Sequence, residues 1–371
     1  MNISFLVVKH LMLGGGIEKY TREVASRLVR RGHTVTVYSM KHHGPALTTT
    51  EGIRIVHVPC LQRSSTEKIT ASAAAALVEL FRRDGADVVH LHSVAAGAFA
   101  WLFKLRGIPT LLQMHGIEWQ RSRWSNFGRG TLKLLEKLSI RHAGAMTAVS
   151  KTQSEFYKRE YGIQMSYIPT GADLKESPPA LEILQLGLQP DKYILFASRL
   201  VREKGAHYLI SAFKKLDTDC FLVIAGDAKG EEQYKEELRT LADNDPMILF
   251  PGFVQGRLLD ELFSHASLYV QLSEIEGLSI ALLEAMSYGN ACLVSDIPEN
   301  CEAIGDVGFT FLSKNVEDLT KQMQRALSDP NKLIETGKYA QIRVRDFYSW
   351  DRITDQLEAI YEHAIIQNGL S

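Results

Sequence analysis

The sequence contains few cysteines, and they are scattered along the chain. The four cysteines are Cys60, Cys220, Cys292 and Cys301, and no two of them form a CxxC pair. This spacing argues against a zinc knuckle and against a disulfide framework. It fits a reducing compartment, and we therefore expect a cytoplasmic location.

Long apolar runs are also lacking. Ile3 to Val8 is apolar, but this run is too short for a signal peptide or a membrane span, and it leads into a glycine-rich loop. No other stretch approaches the ~18 uninterrupted apolar residues that a spanning helix requires. Low-complexity tracts and repeats are absent as well. We therefore expect a globular protein, and the 371 residues predict two domains.

Net charge is nearly absent, at −1, but the charges are unevenly distributed. Residues 1–175 hold 24 of the 42 Lys and Arg residues and only 12 of the 43 Asp and Glu residues, so the remainder is acidic. A basic half favours an anionic partner, such as a membrane surface or a phosphorylated acceptor. Attraction between the basic and the acidic half explains the asymmetry equally well, and the sequence leaves both explanations open.

Short apolar runs alternate with amphipathic stretches along the chain. In the first half the apolar runs predict strands at Ile3–Val8, Thr34–Ser39, Ile53–Val58, Asp87–His92, Thr110–Met114 and Ala145–Val149. In the second half they predict strands at Tyr193–Ala197, Cys220–Ala225, Ile248–Phe250, Leu268–Gln271 and Ala291–Val294. This alternation predicts an α/β fold of two Rossmann-like domains, each with a doubly wound parallel sheet, that face a cleft. We place the domains at residues 1–172 and 173–353, joined by a linker that contains Pro and Gly.

Three consecutive glycines, Gly14 to Gly16, lie between the first predicted strand and the first predicted helix. Glycine lets the backbone approach a ligand closely. A dinucleotide-binding fingerprint would need a further glycine at position 19, which is Lys19. We favour close approach to a ligand, and a tight turn without a ligand is the alternative.

The stretch Ser273–Ser295 joins two acids to a predicted helix start. Glu276 precedes Gly277–Ser279, and Ser279 is placed to cap a helix. Free amides and the positive end of the helix dipole make this segment a candidate site for a phosphate or an electron-rich sugar oxygen. Glu284 lies eight residues after Glu276, so both acids can face one cleft only if Glu276 is on the loop and Glu284 on the helix.

Two cations follow the first predicted strand of the second half. Arg199 and Lys204 belong to the segment SRLVREKG. Two cations beside a cleft can bind a diphosphate and stabilise it as it leaves. Basic residues in loops are usually only solvated, but the position of this pair at a strand end supports a diphosphate site.

Histidines lie at other predicted strand ends. His115 could transfer protons near neutral pH or donate a hydrogen bond to a sugar hydroxyl, and a purely structural histidine is the alternative. His90 and His92 lie two residues apart on one strand and therefore point to the same face. They have no convincing metal spacing with other residues, and we interpret the acids Asp217 and Asp219 as a solvated turn. We predict no metal site.

Residues 119–142 are rich in basic side chains. Trp119, Trp124 and Phe127 are interleaved with six Arg or Lys residues, against one acid, Glu136. This pattern could contact an anionic membrane or a phosphorylated lipid acceptor. An exposed helix with an ordinary basic face explains it about as well. Nucleic acid is a weaker option, since no recognised binding motif accompanies the segment, and we expect no nucleic-acid partner.

The chain resembles the retaining glycosyltransferases of family 4, which have the GT-B arrangement of two Rossmann-like domains. The resemblance covers essentially the whole chain. Its motifs are GGGIE at 14–18, MHG at 114–116, IPTGAD at 168–173, SRLVREKG at 198–205, AGD at 225–227, GFV at 252–254 and EGLSIALLEAMSYG at 276–289. The last motif, with its two spaced glutamates, is the most specific.

The resemblance implies an activity and its substrates. A hexosyl unit would pass from a UDP- or GDP-hexose donor to a hydroxyl group, with retention at the anomeric carbon and without a cofactor or a divalent metal. The run MSYGNACLVSDIPEN, residues 286–300, resembles a bacterial subgroup linked to surface polysaccharide assembly. The acceptor would then be a lipid-linked or polysaccharide glycan, and the basic first half would place the protein at the inner face of the plasma membrane.

The resemblance also implies roles for single residues. The implied catalytic residues are His115, Arg199, Lys204 and Glu276. Donor contacts are implied for Gly15, Gly16, Arg199, Lys204, Glu276, Gly277, Leu278, Ser279 and Glu284. The expected acceptor-side residues are Glu18, His92 and Trp119. A C-terminal helix, about residues 354–371, would cross back onto the first domain.

Other classes of function remain open. A nucleotide-sugar epimerase on the same fold would act on the donor alone, and a phosphorylase would need free phosphate. A non-catalytic protein that binds sugar nucleotides would bind without turnover. The presence of Arg199, Lys204, Glu276 and Glu284 favours an enzyme.

Overall fold

The computed structural model describes residues 1–63, 66–121 and 124–369. These residues form two compact units. Unit 1 consists of Met1–Thr170 together with the C-terminal segment from Trp350, and unit 2 consists of Gly171–Ser349.

The strands and helices alternate along the chain. The strands are β1 (Asn2–Val8), β2 (Thr34–Met40), β3 (Thr49–Thr50), β4 (Ile53–Val58), β5 (Val88–His92), β6 (Thr110–Met114), β7 (Ala145–Ala148), β8 (Ser166–Tyr167), β9 (Tyr193–Ala197), β10 (Phe221–Ala225), β11 (Ile248–Gly252), β12 (Leu268–Gln271), β13 (Cys292–Ser295) and β14 (Phe309–Phe311). The α-helices are α1 (Gly16–Arg30), α2 (Glu67–Leu80), α3 (Ser93–Gly97), α4 (Ala100–Leu105), α5 (Asn126–His142), α6 (Lys151–Tyr161), α7 (Glu182–Gln185), α8 (Ala206–Phe213), α9 (Glu232–Ala242), α10 (Arg257–Ser264), α11 (Ile280–Ser287), α12 (Pro298–Ile304), α13 (Val316–Leu327), α14 (Pro330–Arg343) and α15 (Trp350–Gly369). Within the described ranges, no helix is both long enough and apolar enough to cross a bilayer.

The sheet of unit 1 has the order β3-β4-β2-β1-β5-β6-β7-β8. Its neighbours are parallel, apart from the antiparallel edge pair β3 and β4. Side chains on both faces of the strands are mostly buried, as in a parallel sheet that is covered on both sides, and Phe5, Leu91 and Leu112 are fully buried. From β1 the chain proceeds to β2 and β4 on one side and then returns to β5 on the other side of β1. The carboxyl ends of β1 and β5 therefore form a topological switch point, where ligands bind in such sheets.

The C-terminal helix α15 belongs to unit 1 and packs against α1. Arg31 pairs with Glu358 at 2.8 Å, but a partly exposed pair of this kind stabilises a protein by only about 0–1 kcal/mol. Burial contributes more, since each fully buried apolar side chain adds roughly 1.5–3 kcal/mol. The buried apolar and aromatic side chains of α15 are Trp350, Ile353, Leu357 and Tyr361. The hydroxyl group of Tyr361 also lies 2.5 Å from His90 Nδ1 in β5.

Unit 2 contains a six-stranded sheet in the order β11-β10-β9-β12-β13-β14. All neighbouring strands are parallel. The chain proceeds outward from β9 to β11, crosses back to β12 beside β9, and continues to β14. The switch point of unit 2 therefore lies between β9 and β12. Two parallel-sheet α/β domains confirm the predicted fold class.

Candidate functional site

The glycine loop leads from β1 into α1, and Glu18 determines its geometry. Gly15 is the N-cap of α1 and is extended, with φ −82° and ψ 156°. The Glu18 carboxylate turns back over this cap, so a Cβ on Gly15 would meet Glu18 Oε2 at 2.0 Å. Glu18 Oε1 also accepts a hydrogen bond of 3.1 Å from the Lys9 amide. A side chain at position 15 would therefore displace the Glu18 carboxylate, and the backbone there is not left-handed. Whether Gly15 and Gly16 approach a ligand stays a prediction.

Two histidines and a threonine form a hydrogen-bonded chain at the switch point of unit 1. His92 Nε2 lies 2.9 Å from Thr21 Oγ1, and His92 Nδ1 lies 3.0 Å from His115 Nε2. Because the Thr21 hydroxyl donates to the carbonyl of Ile17 at 2.8 Å, it accepts from His92 Nε2. His92 Nδ1 then accepts from His115 Nε2, which makes Nδ1 of a neutral His115 an acceptor.

Burial keeps this histidine cluster uncharged. Burial, with a smaller contribution from the charge of Lys68, lowers the pKa of His115 to about 3. Burial and the neighbouring imidazoles also lower the pKa values of His90 and His92 well below the ordinary range. All three imidazoles are therefore neutral at pH 7, so they can exchange hydrogen bonds but cannot act as cationic acids.

Tyr20, Thr21 and Gln113 also contribute to this site, and sequence reasoning missed them. The Tyr20 hydroxyl donates to Gln113 Oε1 at 3.3 Å. The Tyr20 ring stands edge-on to His115, with ring centroids 5.1 Å apart. One signal was available in the sequence: Gln113 is a polar residue within an otherwise apolar buried strand, and a buried polar side chain needs a partner.

A small cavity opens beside the histidine cluster, at the carboxyl ends of β1 and β5. Its polar lining consists of Lys9, Glu18, Lys68, Ser72, His92 and Ser93. Two ammonium groups and one carboxylate give the cavity a net positive charge. This charge favours a group with negative charge or hydroxyls at the opening of the cavity.

Trp119 has a packing role in unit 1. Its indole Nε1 donates to Glu136 Oε1 at 3.2 Å, and Lys133 Nζ lies over its ring at 4.3 Å from the centroid. The fully buried Glu136 carboxylate also accepts hydrogen bonds from Tyr157 (2.7 Å) and Tyr161 (2.8 Å). These contacts fix the indole against α5, and its expected role on the acceptor side stays a prediction.

An ion pair between Lys204 and Glu276 occupies the switch point of unit 2. Lys204 ends the 3₁₀ turn Arg202–Lys204 after β9, and Glu276 lies in the loop after β12. Lys204 Nζ contacts Glu276 Oε1, and the two side chains are only 10% and 8% exposed. Gly205, at φ 76°, permits this approach, because a Cβ there would lie 2.8 Å from the Leu272 carbonyl oxygen.

Polar residues at the end of β12 hold the Glu276 carboxylate in place. Glu276 Oε1 accepts hydrogen bonds from Gln271 Nε2 at 2.9 Å and from Ser273 Oγ at 2.8 Å. The Tyr269 hydroxyl donates to Gln271 Oε1 at 2.8 Å and orients that amide. The carboxylate is thus positioned before any ligand binds. Sequence reasoning missed these residues, although polar residues at every second position of a buried strand were a visible signal.

Arg199 has a different environment from that of Lys204. Its side chain is 55% exposed, and its Nη2 lies 4.0 Å from Glu203 Oε1. The Glu203 carbonyl accepts a 2.9 Å hydrogen bond from the Glu274 amide, which joins the two loops. Of the two cations expected to bind a diphosphate, Lys204 is therefore buried and Arg199 is exposed. The role of Arg199 stays a prediction.

The segment Gly277–Ser279 leads directly into α11. Its three residues are buried, and Ser279 Oγ accepts from the Leu282 amide at 3.3 Å, which makes it the N-cap. An N-cap of this type stabilises a helix by roughly 1 kcal/mol. Glu284 is half-buried one turn further along α11. The predicted loop, cap and helix are all present in the predicted order.

Comparison with known proteins identifies the family. The family described as Glycosyltransferase Family 4 matches residues 14–176, and the family described as Glycosyl transferases group 1 matches residues 184–343. The two matches together cover most of the chain, and the protein belongs to the family 4 glycosyltransferases.

Individual relatives extend over nearly the full length. An uncharacterised glycosyltransferase from Methanocaldococcus jannaschii is 27% identical over 96% of both chains. The Escherichia coli UDP-Gal:α-D-GlcNAc-diphosphoundecaprenol α-1,3-galactosyltransferase is 22% identical over 85% of both chains. Among solved structures, the sucrose-phosphate synthase from Thermosynechococcus elongatus superposes with a TM-score of 0.86 at 20% identity over 99% of both chains. That similarity shows a shared GT-B fold.

Proposed function

We propose that this glycosyltransferase moves a hexosyl unit from UDP- or GDP-hexose to a hydroxyl group of a lipid-linked or polysaccharide glycan. The observation that carries the proposal is the buried ion pair of Lys204 and Glu276 at the switch point of unit 2. A positively charged group held there by a carboxylate suits a ligand that carries both a diphosphate and sugar hydroxyls. The donor and acceptor named for the Escherichia coli relative, UDP-Gal and a diphosphoundecaprenol-linked sugar, support this choice.

Lys204, Arg199 and the start of α11 would stabilise the leaving group. As the glycosidic bond breaks, negative charge develops on the diphosphate. Cations and helix amides that are already oriented stabilise that charge without reorganisation. Glu276 would accept hydrogen bonds from the donor hydroxyls, and Glu284 would contact the ribose.

The anomeric configuration is retained because the acceptor attacks the face of the sugar from which the diphosphate leaves. The acceptor oxygen forms the new bond to the anomeric carbon, and its proton passes to the departing phosphate oxygen. This step requires neither a divalent metal nor a protein nucleophile. His115 is neutral at pH 7, because burial lowers its pKa to about 3. It would therefore act as a hydrogen-bond partner and not as a general acid.

The cavity beside the histidine cluster is the proposed acceptor site. Glu18 and His92 line it. The Glu18 carboxylate could bind acceptor hydroxyls, whereas both ring nitrogens of His92 are already within hydrogen-bond distance of Thr21 and His115, so His92 would form part of the wall. Lys9 and Lys68 bring positive charge to the same opening. An acceptor that carries a phosphate or a diphosphate near its sugar would match this charge.

Helix α5 offers a surface for an anionic membrane. Phe127 is 86% exposed and Leu134 is 68% exposed, and their spacing of seven places them on one face of the helix. Lys133, Lys137 and Arg141 are exposed on the same helix. Apolar side chains flanked by lysine and arginine are typical of helices that lie at a lipid surface. We propose peripheral contact with the inner face of the plasma membrane through α5.

The transfer reaction can be tested with a panel of UDP-, GDP- and ADP-hexoses. One donor should raise the unfolding temperature of the wild type, since a ligand at a hundred times its Kd adds about 2.7 kcal/mol. Glu284→Ala should lose this shift, and the exposed control Glu236→Ala should keep it.

The anomeric configuration of the product, measured by NMR, tests retention. Conversion of the donor without an acceptor would point to an epimerase, and binding without turnover would contradict the transferase proposal.

Vesicle binding tests the membrane contact separately. Phe127→Ser combined with Leu134→Ser should abolish co-sedimentation with phosphatidylglycerol vesicles. Leu105→Ser is the matched control, because Leu105 is 76% exposed on α4. Equal binding to neutral phosphatidylcholine vesicles would argue against a charge-dependent surface.

A further inference from the structure

A cluster of potential metal ligands lies at the carboxyl edge of the unit 1 sheet, outside the proposed transfer machinery. His42 and His43 belong to the 3₁₀ turn Lys41–His43 after β2, and Glu67 begins α2. His42 Nε2 lies 2.9 Å from Glu67 Oε1, and His43 Nε2 contacts the same oxygen. We propose that His42, His43 and Glu67 bind a divalent transition-metal ion, with Zn²⁺ as the representative ligand.

The donor atoms lie close to the spacing that the ligands of one ion require. All three donor atoms lie within 4.8 Å of one another. Zinc binds histidine nitrogen at about 2.0–2.1 Å and carboxylate oxygen at about 2.0–2.2 Å, so two ligands of one ion are up to roughly 4 Å apart. Small rotations that separate each imidazole from Glu67 would admit an ion between them. Two imidazoles and a carboxylate, with one position left for water, are a donor set that zinc accepts.

The chemistry of the donors selects the class of metal. Imidazole nitrogen suits zinc, copper, nickel and iron, whereas magnesium and calcium prefer sites built from oxygen ligands. The prediction of no metal site rested on the lack of metal-ligand spacing around His90 and His92. It did not consider His42, His43 and Glu67, because Glu67 lies 24 residues after His43 and meets it only in the folded chain.

The segment that carries the two histidines is held on both sides. Before it, β2 pairs with β1 and β4. After it, His10 Nε2 lies 3.2 Å from the Pro45 carbonyl oxygen, and His57 Nε2 lies 2.8 Å from that of Leu47. A scaffold that restricts the backbone on each side lowers the entropy cost of bringing the ligands together.

A bound ion would connect two elements that border the acceptor cavity. Met40, at the end of β2, and Lys68, next to Glu67, both line that cavity. A metal bridge between the 3₁₀ turn and α2 would therefore hold these two cavity residues at a constant separation. Metal binding itself does not depend on the proposed transferase function, and its test is independent of turnover.

Zinc binding to the untagged, full-length protein tests the proposal. Competition with a chromophoric zinc chelator should reveal one tight site per chain in the wild type. His42→Ala combined with His43→Ala, and separately Glu67→Gln, should weaken that site at least about tenfold. The control His363→Ala removes an exposed histidine of α15 and should change the affinity less than twofold.

X-ray absorption at the zinc edge supplies a readout that does not depend on variants. The wild type should show two imidazoles and an oxygen ligand at the zinc.

Binding that is unchanged in the double histidine variant would overturn the proposal. Cys60 Sγ lies 3.5 Å from His42 Nδ1, so loss of zinc in Cys60→Ser, with retention in the histidine variant, would overturn it in favour of thiol binding.

Discussion

The two switch points of the protein differ in the charge of their buried polar side chains. In unit 1, burial keeps His90, His92 and His115 neutral, and hydrogen bonds link the polar groups. In unit 2, a charged lysine and a charged glutamate are buried against each other. The neutral imidazoles lie beside a cavity that Lys9 and Lys68 make positive, whereas the charges of Lys204 and Glu276 balance each other. The two copies of the fold therefore present different charges at the edges where we propose the acceptor site and the donor site.

The largest expected effect is the loss of the buried ion pair. Glu276→Gln leaves the ammonium group of Lys204 buried without its counter-charge, which costs about 3–5 kcal/mol. The matched control is Glu335→Gln, because Lys332 and Glu335 form a pair that is 53% and 52% exposed. That control should cost less than about 1 kcal/mol.

The readout for this variant should resolve the two units. All four tryptophans, Trp101, Trp119, Trp124 and Trp350, lie in unit 1. Hydrogen exchange of unit 2 peptides in urea should therefore report the damage, while tryptophan fluorescence should change little. Equal destabilisation of both units would contradict the assignment of this ion pair to unit 2 alone.

The second prediction concerns acid stability, which should differ between the units. The folded pKa of His115 is about 3, below the ordinary value. Its contribution to stability is therefore present above pH ~6.5 and is lost as the pH falls toward 3. In unit 2, Arg257 and three backbone amides outweigh burial and lower the pKa of Glu261 to about 2. Its contribution should begin to fall only below pH ~4.5.

Thermal unfolding between pH 7.5 and 4.5 tests this difference. Unit 1 should lose more stability than unit 2, by at least about 1.4 kcal/mol, the equivalent of one pKa unit. His115→Gln should reduce the pH dependence because glutamine does not titrate, while His90 and His92 retain their part of it. His363→Gln should leave it unchanged. A larger decline in unit 2, where burial also lowers the pKa of His207, would contradict the neutral histidine cluster.

The third prediction separates donor binding from transfer. His115→Ala removes a hydrogen-bond partner of His92 in unit 1 and should lower kcat roughly tenfold, as expected for one lost hydrogen bond of about 1.4 kcal/mol. Stabilisation by the donor should persist, because the proposed donor contacts of the charged site lie in unit 2. An unchanged kcat would show that His115 has only a structural role.

The smallest expected effect comes from the helix caps. Ser279→Ala should cost about 1 kcal/mol and should weaken donor binding, since the cap orients the amides at the start of α11. Ser125→Ala is the matched control, because Ser125 caps α5 with a 3.2 Å hydrogen bond from Gly128. It should cost a similar free energy without any change in the donor-dependent shift of the unfolding temperature.

Strand positions were largely predictable from the sequence. The bounds predicted for Thr110–Met114, Tyr193–Ala197 and Leu268–Gln271 are those of β6, β9 and β12. Buried parallel strands appear as short apolar runs between polar turns, so their positions are encoded locally. The cap at Ser279 and the start of α11 were predictable for the same reason, since capping depends on adjacent residues.

Helices were less predictable where packing interrupts them. The amphipathic stretch Ala95–Leu105 predicts one helix, whereas the structure has two, α3 and α4. Gly97 lies so close to α5 that a Cβ there would meet the Ser139 Cβ at 2.7 Å, and this contact depends on a distant segment. Helix α14 was missed although Asp329 caps it and Pro330 occupies its first turn, which is a recognised helix-start signal.

The sequence by itself determined the alternation of strands and helices and the family motifs. The spacing of apolar residues and the chemistry of turns depend only on residues that are close in the chain. It also identified Lys204, Glu276 and His115 as candidates. Only the tertiary structure decided their partners. Lys204 and Glu276 are 72 residues apart, and they meet because β9 lies beside β12. The neutral state of His115 likewise comes from burial by separate elements, which no local pattern specifies.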